Sequence, residues 1–162
     1  GYEANGGFLL GSDLALPRGP LGALPTRDAV LPIVAALVAA GREPLSALVA
    51  ALPPRVTYSN RIAEFPTQTS RAILADLEQG TEADQLARIE QAFGSIAGRP
   101  VRIDRTDGLR VTFASDEVIH LRPSGNAPEL RCYSEADSAE RARAINDAAL
   151  DVVRTVLAKA VS

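Results

Sequence analysis

An α+β fold is predicted by three features of the chain. From Arg99 onward, apolar residues recur at every second position in four consecutive short runs, the period of half-buried strands. On either side of these runs, apolar residues fall at spacings of three and four, the period of helices with one buried face. The order from Arg55 on is therefore strand, helices, strands, helix, which lays helices on one face of an antiparallel sheet of about four to five strands.

Taken in order, residues 1–22 are rich in Gly and Pro, with Phe8-Leu9-Leu10 as a short strand between Gly7 and Gly11. Thr26 is placed to cap a helix that runs to Ala40, apolar at almost every position, with Pro32 tolerated near its start and Gly41 at its end. A helix apolar nearly all round is expected to be buried, against partners not all contained in this chain. Pro44 to Leu52 reads as a second short helix. The Pro53-Pro54 pair marks a domain boundary and a candidate hinge, dividing the chain into residues 1–53 and 54–162.

Val56, Tyr58 and Ile62 alternate as in a strand. Ile73, Leu74 and Leu77 give a helix from Thr67 to about Gln79 one apolar face, and Leu86, Ile89 and Phe93 do the same for Thr81 to Gly94. The strand runs are Val101 and Ile103; Leu109, Val111 and Phe113; Val118, Ile119 and Leu121; then Leu130, Cys132 and Tyr133. Asp107-Gly108 and Ser115-Asp116-Glu117 supply tight turns, so neighbouring strands should pair antiparallel. A last helix is predicted from a capping box at Asp137 and Glu140, with Ile145, Ala149, Val152 and Val156 on its apolar face, to about Lys159.

The composition bounds the function. Of 162 residues, 46% are hydrophobic and 23% charged, as in a globular domain with a sizeable core. Sixteen arginines and one lysine face 20 acidic residues, a net charge of −3, and only three tyrosines and four phenylalanines are present. That disfavours a nucleic-acid binder, which needs clustered positive charge or an aromatic stacking surface. The single cysteine cannot form an internal disulfide, no apolar run spans a bilayer and no signal peptide is evident, so a soluble, cytosolic protein with no membrane partner is expected. The absence of methionine and the opening at Gly1, within a glycine-rich run, lead to the expectation that the chain is a fragment.

The richest stretch for chemistry is His120-Leu-Arg122-Pro-Ser124-Gly125-Asn126-Ala-Pro128-Glu-Leu-Arg131, a loop between two predicted strands. Arg122 offers a bidentate fork, Ser124 a hydroxyl donor, Gly125 an uncrowded backbone N–H and Asn126 a carboxamide, a set suited to a phosphate. The same residues would also make an ordinary hairpin connection. Arg131 follows on the next strand and could add charge to the loop. His120 is read as a partly buried strand residue rather than a ligand contact, Asp104 and Asp107 as turn residues rather than a metal pair, and Cys132 as packing rather than nucleophile. Arg141, Arg143 and Arg154 read as a solvated helix face.

This loop resembles the phosphate-binding loop in the C-terminal domain of the α-D-phosphohexomutase superfamily, Arg-x-Ser-Gly/Asn-Thr-x-Pro, with Arg122, Ser124, Gly125 and Pro128 matching and Asn126 in place of Thr. At the other end, Gly1-Tyr2-Glu3-Ala4-Asn5-Gly6-Gly7 is similar to the family's sugar-binding loop, Gly-Glu-x-Ser-Gly-His. Glu3 and Gly6 match, Asn5 replaces Ser, and Gly7 replaces the histidine. The resemblance covers essentially the whole chain and is nearest the phosphomannomutase and phosphoglucomutase branch.

The resemblance implies that residues 1–53 are the C-terminal part of the sugar-binding third domain, a helical remnant of an α/β domain, and that residues 54–162 are the phosphate-binding fourth domain. It implies an isomerase that moves a phosphoryl group between the 1- and 6-positions of a hexose through a hexose 1,6-bisphosphate. In this reading Arg122, Ser124, Gly125 and Asn126 hold the substrate phosphate, while Glu3 and Asn5 hold sugar hydroxyls. Mg²⁺ would be bound by the missing N-terminal domains, which are the implied partners beside the phosphosugar itself. Neither a Ser-His-Asn-Pro-like nucleophile loop nor an Asp-Gly-Asp-Gly-Asp-Arg-like metal loop occurs in the sequence, so the chain alone is expected to be inactive. The alternative reading is a stand-alone, non-catalytic interaction or assembly module. In either case the apolar helix from Asp28 to Ala40 is where self-association is expected.

Overall fold

The computed structural model describes residues 1, 2 and 7–161. They fall into two compact units, Gly1–Pro53 and Pro54–Ser162.

In the first unit, β1 (Phe8–Leu10) pairs antiparallel with β4 (Leu24–Asp28), and β2 (Leu14–Leu16) with β3 (Gly19–Leu21). The sequence pattern signals only β1. The other three are short and interrupted by Pro20 and Pro25, so they carry no readable period. β4 also takes Thr26 away from its expected capping position. α1 (Val30–Ala40) is started instead by Asp28, whose carboxylate accepts the Val30 and Leu31 amides at 2.6 and 2.8 Å. Gly41 ends it with φ +59°, and α2 (Leu45–Ala50) follows Pro44. Leu31, Pro32 and Ala35 line an apolar cleft with Phe8, Leu10, Leu14 and Leu21. The rest of α1 is open, with Ile33, Leu37 and Val38 at 59%, 55% and 75% exposure and Ala40 its only buried residue.

The second unit is a five-stranded antiparallel sheet in the order β5-β9-β8-β7-β6, formed by β5 (Val56–Ile62), β6 (Pro100–Asp104), β7 (Leu109–Phe113), β8 (Val118–Pro123) and β9 (Leu130–Ala136). The period-two runs fix which face is buried. Leu109, Val111 and Phe113 of β7, Ile119 and Leu121 of β8, and Leu130 and Cys132 of β9 all lie within 1% of complete burial. α3 (Thr67–Leu77) contributes Ile73 and Leu77 to this core, α4 (Glu82–Ala97) Ile89 and Phe93, and α5 (Ala139–Val152) Ile145 and Leu150. The helices therefore cover one face of the sheet, and the other carries mainly polar side chains, with Val118 buried at its end of β8.

The helix ends follow local chemistry. Thr81 and Asp84 form a reciprocal capping box at α4, with Asp84 Oδ2 accepting the Thr81 amide at 2.8 Å. The same contacts hold the Asp84 carboxyl below the usual aspartate range. At α5 the expected cap is displaced by one residue. Ser138, not Asp137, accepts the Arg141 amide, at 3.2 Å. The helix then passes through a π turn, Val153–Leu157, and ends over Ala158–Ala160. Its buried stripe is Ala142, Ile145, Ala149, Val153 and Leu157, leaving the predicted Val156 55% exposed.

Arg141 is also not the solvated residue its surroundings in the sequence suggest. Its guanidinium grips both Glu117 oxygens, at 2.6 and 2.8 Å, and donates to the Ile96 carbonyl at 2.7 Å. This ties α5 to the β7–β8 turn and to the end of α4. No helix among the described residues is long and apolar enough to cross a membrane.

Candidate functional site

The candidate site grows out of the uncovered face of the sheet. In β8, Ile119 and Leu121 point into the core, so strand alternation sends His120 and Arg122 to the opposite face. β8 ends at Pro123 and β9 begins at Leu130, and residues 124–129 connect them. This loop closes on itself: the Ser124 amide donates to the Glu129 carbonyl at 3.0 Å, and the Glu129 amide to the Ala127 carbonyl at 2.8 Å. The Phe65 amide holds the Pro128 carbonyl at 2.8 Å. Ser124 is buried, with its Oγ 3.4 Å from the Asn126 amide that it accepts. Gly125 and Asn126 are exposed at the tip, and a Cβ at Gly125 would meet nothing within 4 Å, so the backbone there faces open space.

At the base of the loop, Arg122 Nε lies 2.9 Å from Asp107 Oδ1, an ion pair with the β6–β7 turn. His120 Nε2 reaches the Asp107 carbonyl at 2.6 Å, and its ring lies 5.4 Å from that of Tyr133. Asp107 is thus a turn residue that also carries a counter-charge. Its turn requires Gly108, which has φ +88° and whose Cβ position lies 2.4 Å from the Leu121 carbonyl oxygen. Asp104 caps the same turn through the Thr106 amide at 2.8 Å, which holds its carboxyl below the usual range.

The sheet register adds residues that no local motif could indicate. Arg122 stands opposite Arg131 of β9, and Arg131 stands opposite Arg61 of β5. Like charges facing each other across strands are unfavourable, and Glu129 offsets this repulsion. Its side chain, 9% exposed, places Oε1 2.8 Å from Arg131 Nε and 2.7 Å from Arg131 Nη2, with Oε2 3.3 Å from Arg61 Nε. Its hydrogen bond to Glu129, and then that with Tyr133, raises the Arg131 guanidinium above its ordinary range. An open depression beside this row is lined by Ser59, Asn60, Arg61, Arg131 and Tyr133.

Arg122, Ser124, Gly125 and Asn126 therefore share one loop and its base, with Arg131 on the neighbouring strand. Glu3 and Asn5 lie outside the described residues. Cys132 is fully buried, and burial, with a smaller contribution from Asp147, pushes its thiol up to about 12, so it is a packing residue.

Residues 71–152, about half the chain, match the family model for the phosphoglucomutase/phosphomannomutase C-terminal domain. The chain belongs to this family. The matched segment of the phosphoglucomutase/phosphomannomutase domain takes in β6 to β9, and with them the 124–129 loop, the Asp107 turn and Arg131. The chain is 45% identical over 160 residues to a phosphomannomutase of Salmonella muenchen, covering 99% of this chain and 32% of that protein. It is 46% identical over 144 residues to a phosphomannomutase of Sinorhizobium fredii, covering 88% and 29%. A probable phosphoglucosamine mutase of Methanopyrus kandleri is 31% identical over 154 residues, covering 95% and 28%. The chain thus spans about a third of the length of these curated relatives.

Arg61 and Glu129 were missed by sequence reasoning. Arg61 lies on a strand recognisable by its alternation, but its position opposite Arg131 depends on a pairing between segments far apart in sequence. Glu129 had a local signal, since a carboxylate just before a strand and two residues ahead of its arginine can reach that arginine from the same side. In a loop rich in anion-binding groups, that carboxylate is the one residue that looks out of place.

Proposed function

We propose that the chain is the substrate-clamping C-terminal portion of a phosphohexomutase that interconverts hexose 1-phosphate and hexose 6-phosphate. The observation that carries this reading is the self-closed loop of residues 124–129, with Arg122 at its base and an unobstructed backbone at Gly125. Arg122 gives the phosphate a charged fork, while Ser124, Gly125 and Asn126 complete the cradle. Glu3 and Asn5 are proposed to hold the hexose hydroxyls. Holding the phosphate away from the reacting bond supplies orientation, which matters in a phosphoryl transfer governed by positioning and charge.

In this reading the nucleophile and Mg²⁺ reside on other parts of the enzyme, and the chain alone does not turn over. Among the described residues no group of three or more His, Cys, Asp or Glu side chains gathers at one point, so the residues described do not fit a metal centre and none of the proposed contacts runs through the ion. The relatives are about three times as long as the chain, and the exposed apolar face of α1 is proposed to seat further parts of the same enzyme. A cytosolic location goes with the reading.

The test is an NMR titration of the chain with mannose 1-phosphate and with inorganic phosphate. Amide shifts are expected at Ser124 to Ala127, and Arg122→Ala is expected to weaken binding by about tenfold through loss of a charge-assisted contact. An unchanged affinity in the variant, or no shift at tens of millimolar ligand, would count against the clamp.

A further inference from the structure

We propose that His120 is a positioning residue of the phosphate clamp, whose imidazole pins the Asp107 turn so that Asp107 holds the Arg122 guanidinium aligned before a phosphate arrives. The proposal rests on the clamp reading above and deepens it, and in it His120 is not itself a ligand contact.

Three observations carry it. The first is that one turn residue is held twice by one strand. His120 and Arg122 are two residues apart on β8 and project from the same face. His120 Nε2 lies 2.6 Å from the main-chain carbonyl of Asp107, and Arg122 Nε lies 2.9 Å from its carboxylate. A carbonyl only accepts, so His120 presents Nε2–H to it. Between these two contacts the turn rests on the strand itself, since a Cβ on Gly108 would lie 2.4 Å from the Leu121 carbonyl oxygen and 3.1 Å from Arg122 Cα. The main chain and the side chain of Asp107 are therefore both tied to β8, and its carboxylate has little freedom to leave Arg122.

The second observation is the way the imidazole is held. Across the ladder His120 stands opposite Arg110 of β7 on one side and Tyr133 of β9 on the other. Its ring lies 5.4 Å from that of Tyr133, centroid to centroid, with the planes tilted by 33°, the spacing of a favourable aromatic contact. Tyr133 thus braces the ring from β9 while Nε2 reaches the β6–β7 turn.

The third observation is the place where the carboxylate meets the guanidinium. Asp107 approaches Nε, the edge beside the aliphatic stem, so the terminal nitrogens are the part left to meet an anion. The Arg122 and Asp107 side chains keep 40% and 60% of their surface in solvent, and so open an ion pair adds little to stability. Its effect is on the freedom of the arginine. A long side chain that would otherwise be ordered only on binding is aligned beforehand, which lowers the entropy lost when the phosphate is held.

The experiment measures Kd for mannose 1-phosphate and inorganic phosphate by NMR titration of the wild-type chain, Arg122→Ala, His120→Phe and His120→Gln. A pH of about 8 lies above the range in which imidazoles ordinarily titrate, so neither change at His120 alters the charge there. His120→Phe keeps a ring against Tyr133 and removes the N–H, whereas His120→Gln loses the ring and carries an N–H at the reach of Nε2. Positioning predicts binding about three- to tenfold weaker in His120→Phe and recovery of most of the affinity in His120→Gln. A role limited to packing predicts the reverse order. Imidazole nitrogen–proton correlations of the wild-type chain are expected to show the proton on Nε2, and unchanged shifts at Phe113 and Ile145 verify the fold of each variant. Wild-type affinity in His120→Phe with binding lost in Arg122→Ala, equal weakening in both His120 variants, or a neutral ring with its proton on Nδ1 would overturn this proposal and leave the clamp standing. Wild-type affinity in Arg122→Ala, or no binding by the unaltered chain, would overturn the two together.

Discussion

At the scale of single residues, the demands of the backbone and the demands of the site meet in the Asp107-Gly108 turn. Asp107 supplies the counter-charge to Arg122 and the carbonyl to His120, but it can do so only because Gly108 turns the chain at φ +88° against the backbone of β8. A Cβ there would stand 2.4 Å from the Leu121 carbonyl oxygen, a contact with backbone that cannot swing aside. Gly108→Ala is therefore expected to destabilise the fold by about 2–4 kcal/mol, measured by urea denaturation, and a loss below about 1 kcal/mol would show that the turn relaxes freely. The Asp-Gly pair is legible as a turn from sequence. That the turn also braces the arginine at the base of the loop is not, because the contact spans two strands whose separation is set by the sheet.

At the scale of elements, the Glu117–Arg141 pair joins the β7–β8 turn to α5 and to the end of α4. The hydrogen bonds from Arg141 hold the Glu117 carboxyl below its ordinary value of about 4.5, outweighing the opposing effect of burial. A carboxyl whose value is lowered by folding contributes stability above its unfolded value, and that contribution is lost as the pH falls through the folded value. Arg141→Gln is thus expected to cost about 1–2 kcal/mol at pH 7, and the gap from wild type should narrow below about pH 4. Denaturation of both proteins at pH 7 and pH 3 checks it; a gap that does not change with pH would assign the loss to packing. Arg141 was unreadable because its helix neighbours are polar and its partner is 24 positions away. The strands Leu109–Phe113 and Leu130–Ala136 were readable because one buried face imposes a strict alternation.

At the scale of the whole molecule, the two units differ in how far they satisfy their own apolar residues. The Pro54–Ser162 unit buries Phe93, Phe113, Ile119, Ile145 and Leu150 almost completely, whereas α1 of the Gly1–Pro53 unit leaves Ile33, Leu37 and Val38 more than half exposed. The apolar composition of that helix announces a buried surface, but sequence cannot say what buries it. On its own, the chain is expected to self-associate through this face at tens of micromolar. Leu37→Glu combined with Val38→Lys should return it to a monomer in sedimentation velocity, and a wild-type chain that stays monomeric across that range would refute the expectation. The antiparallel sheet, its helical layer and the loop of residues 124–129 follow from patterns within a few residues of each other. The arginine row does not, because it exists only once β5 has joined β9.

That edge pairing also orders the route by which the site is assembled. In the β7–β8 hairpin Thr112 meets Val118 six positions on, while Ile62 of β5 must find Leu130 sixty-eight positions on. Closing the longer loop costs about 2 kcal/mol more in chain entropy, so the central meander is the natural folding nucleus and β5 docks late. Arg61, riding on β5, reaches Glu129 only in that closing step, and a chain caught before it would already carry the loop of residues 124–129 while its row of cations was still one member short.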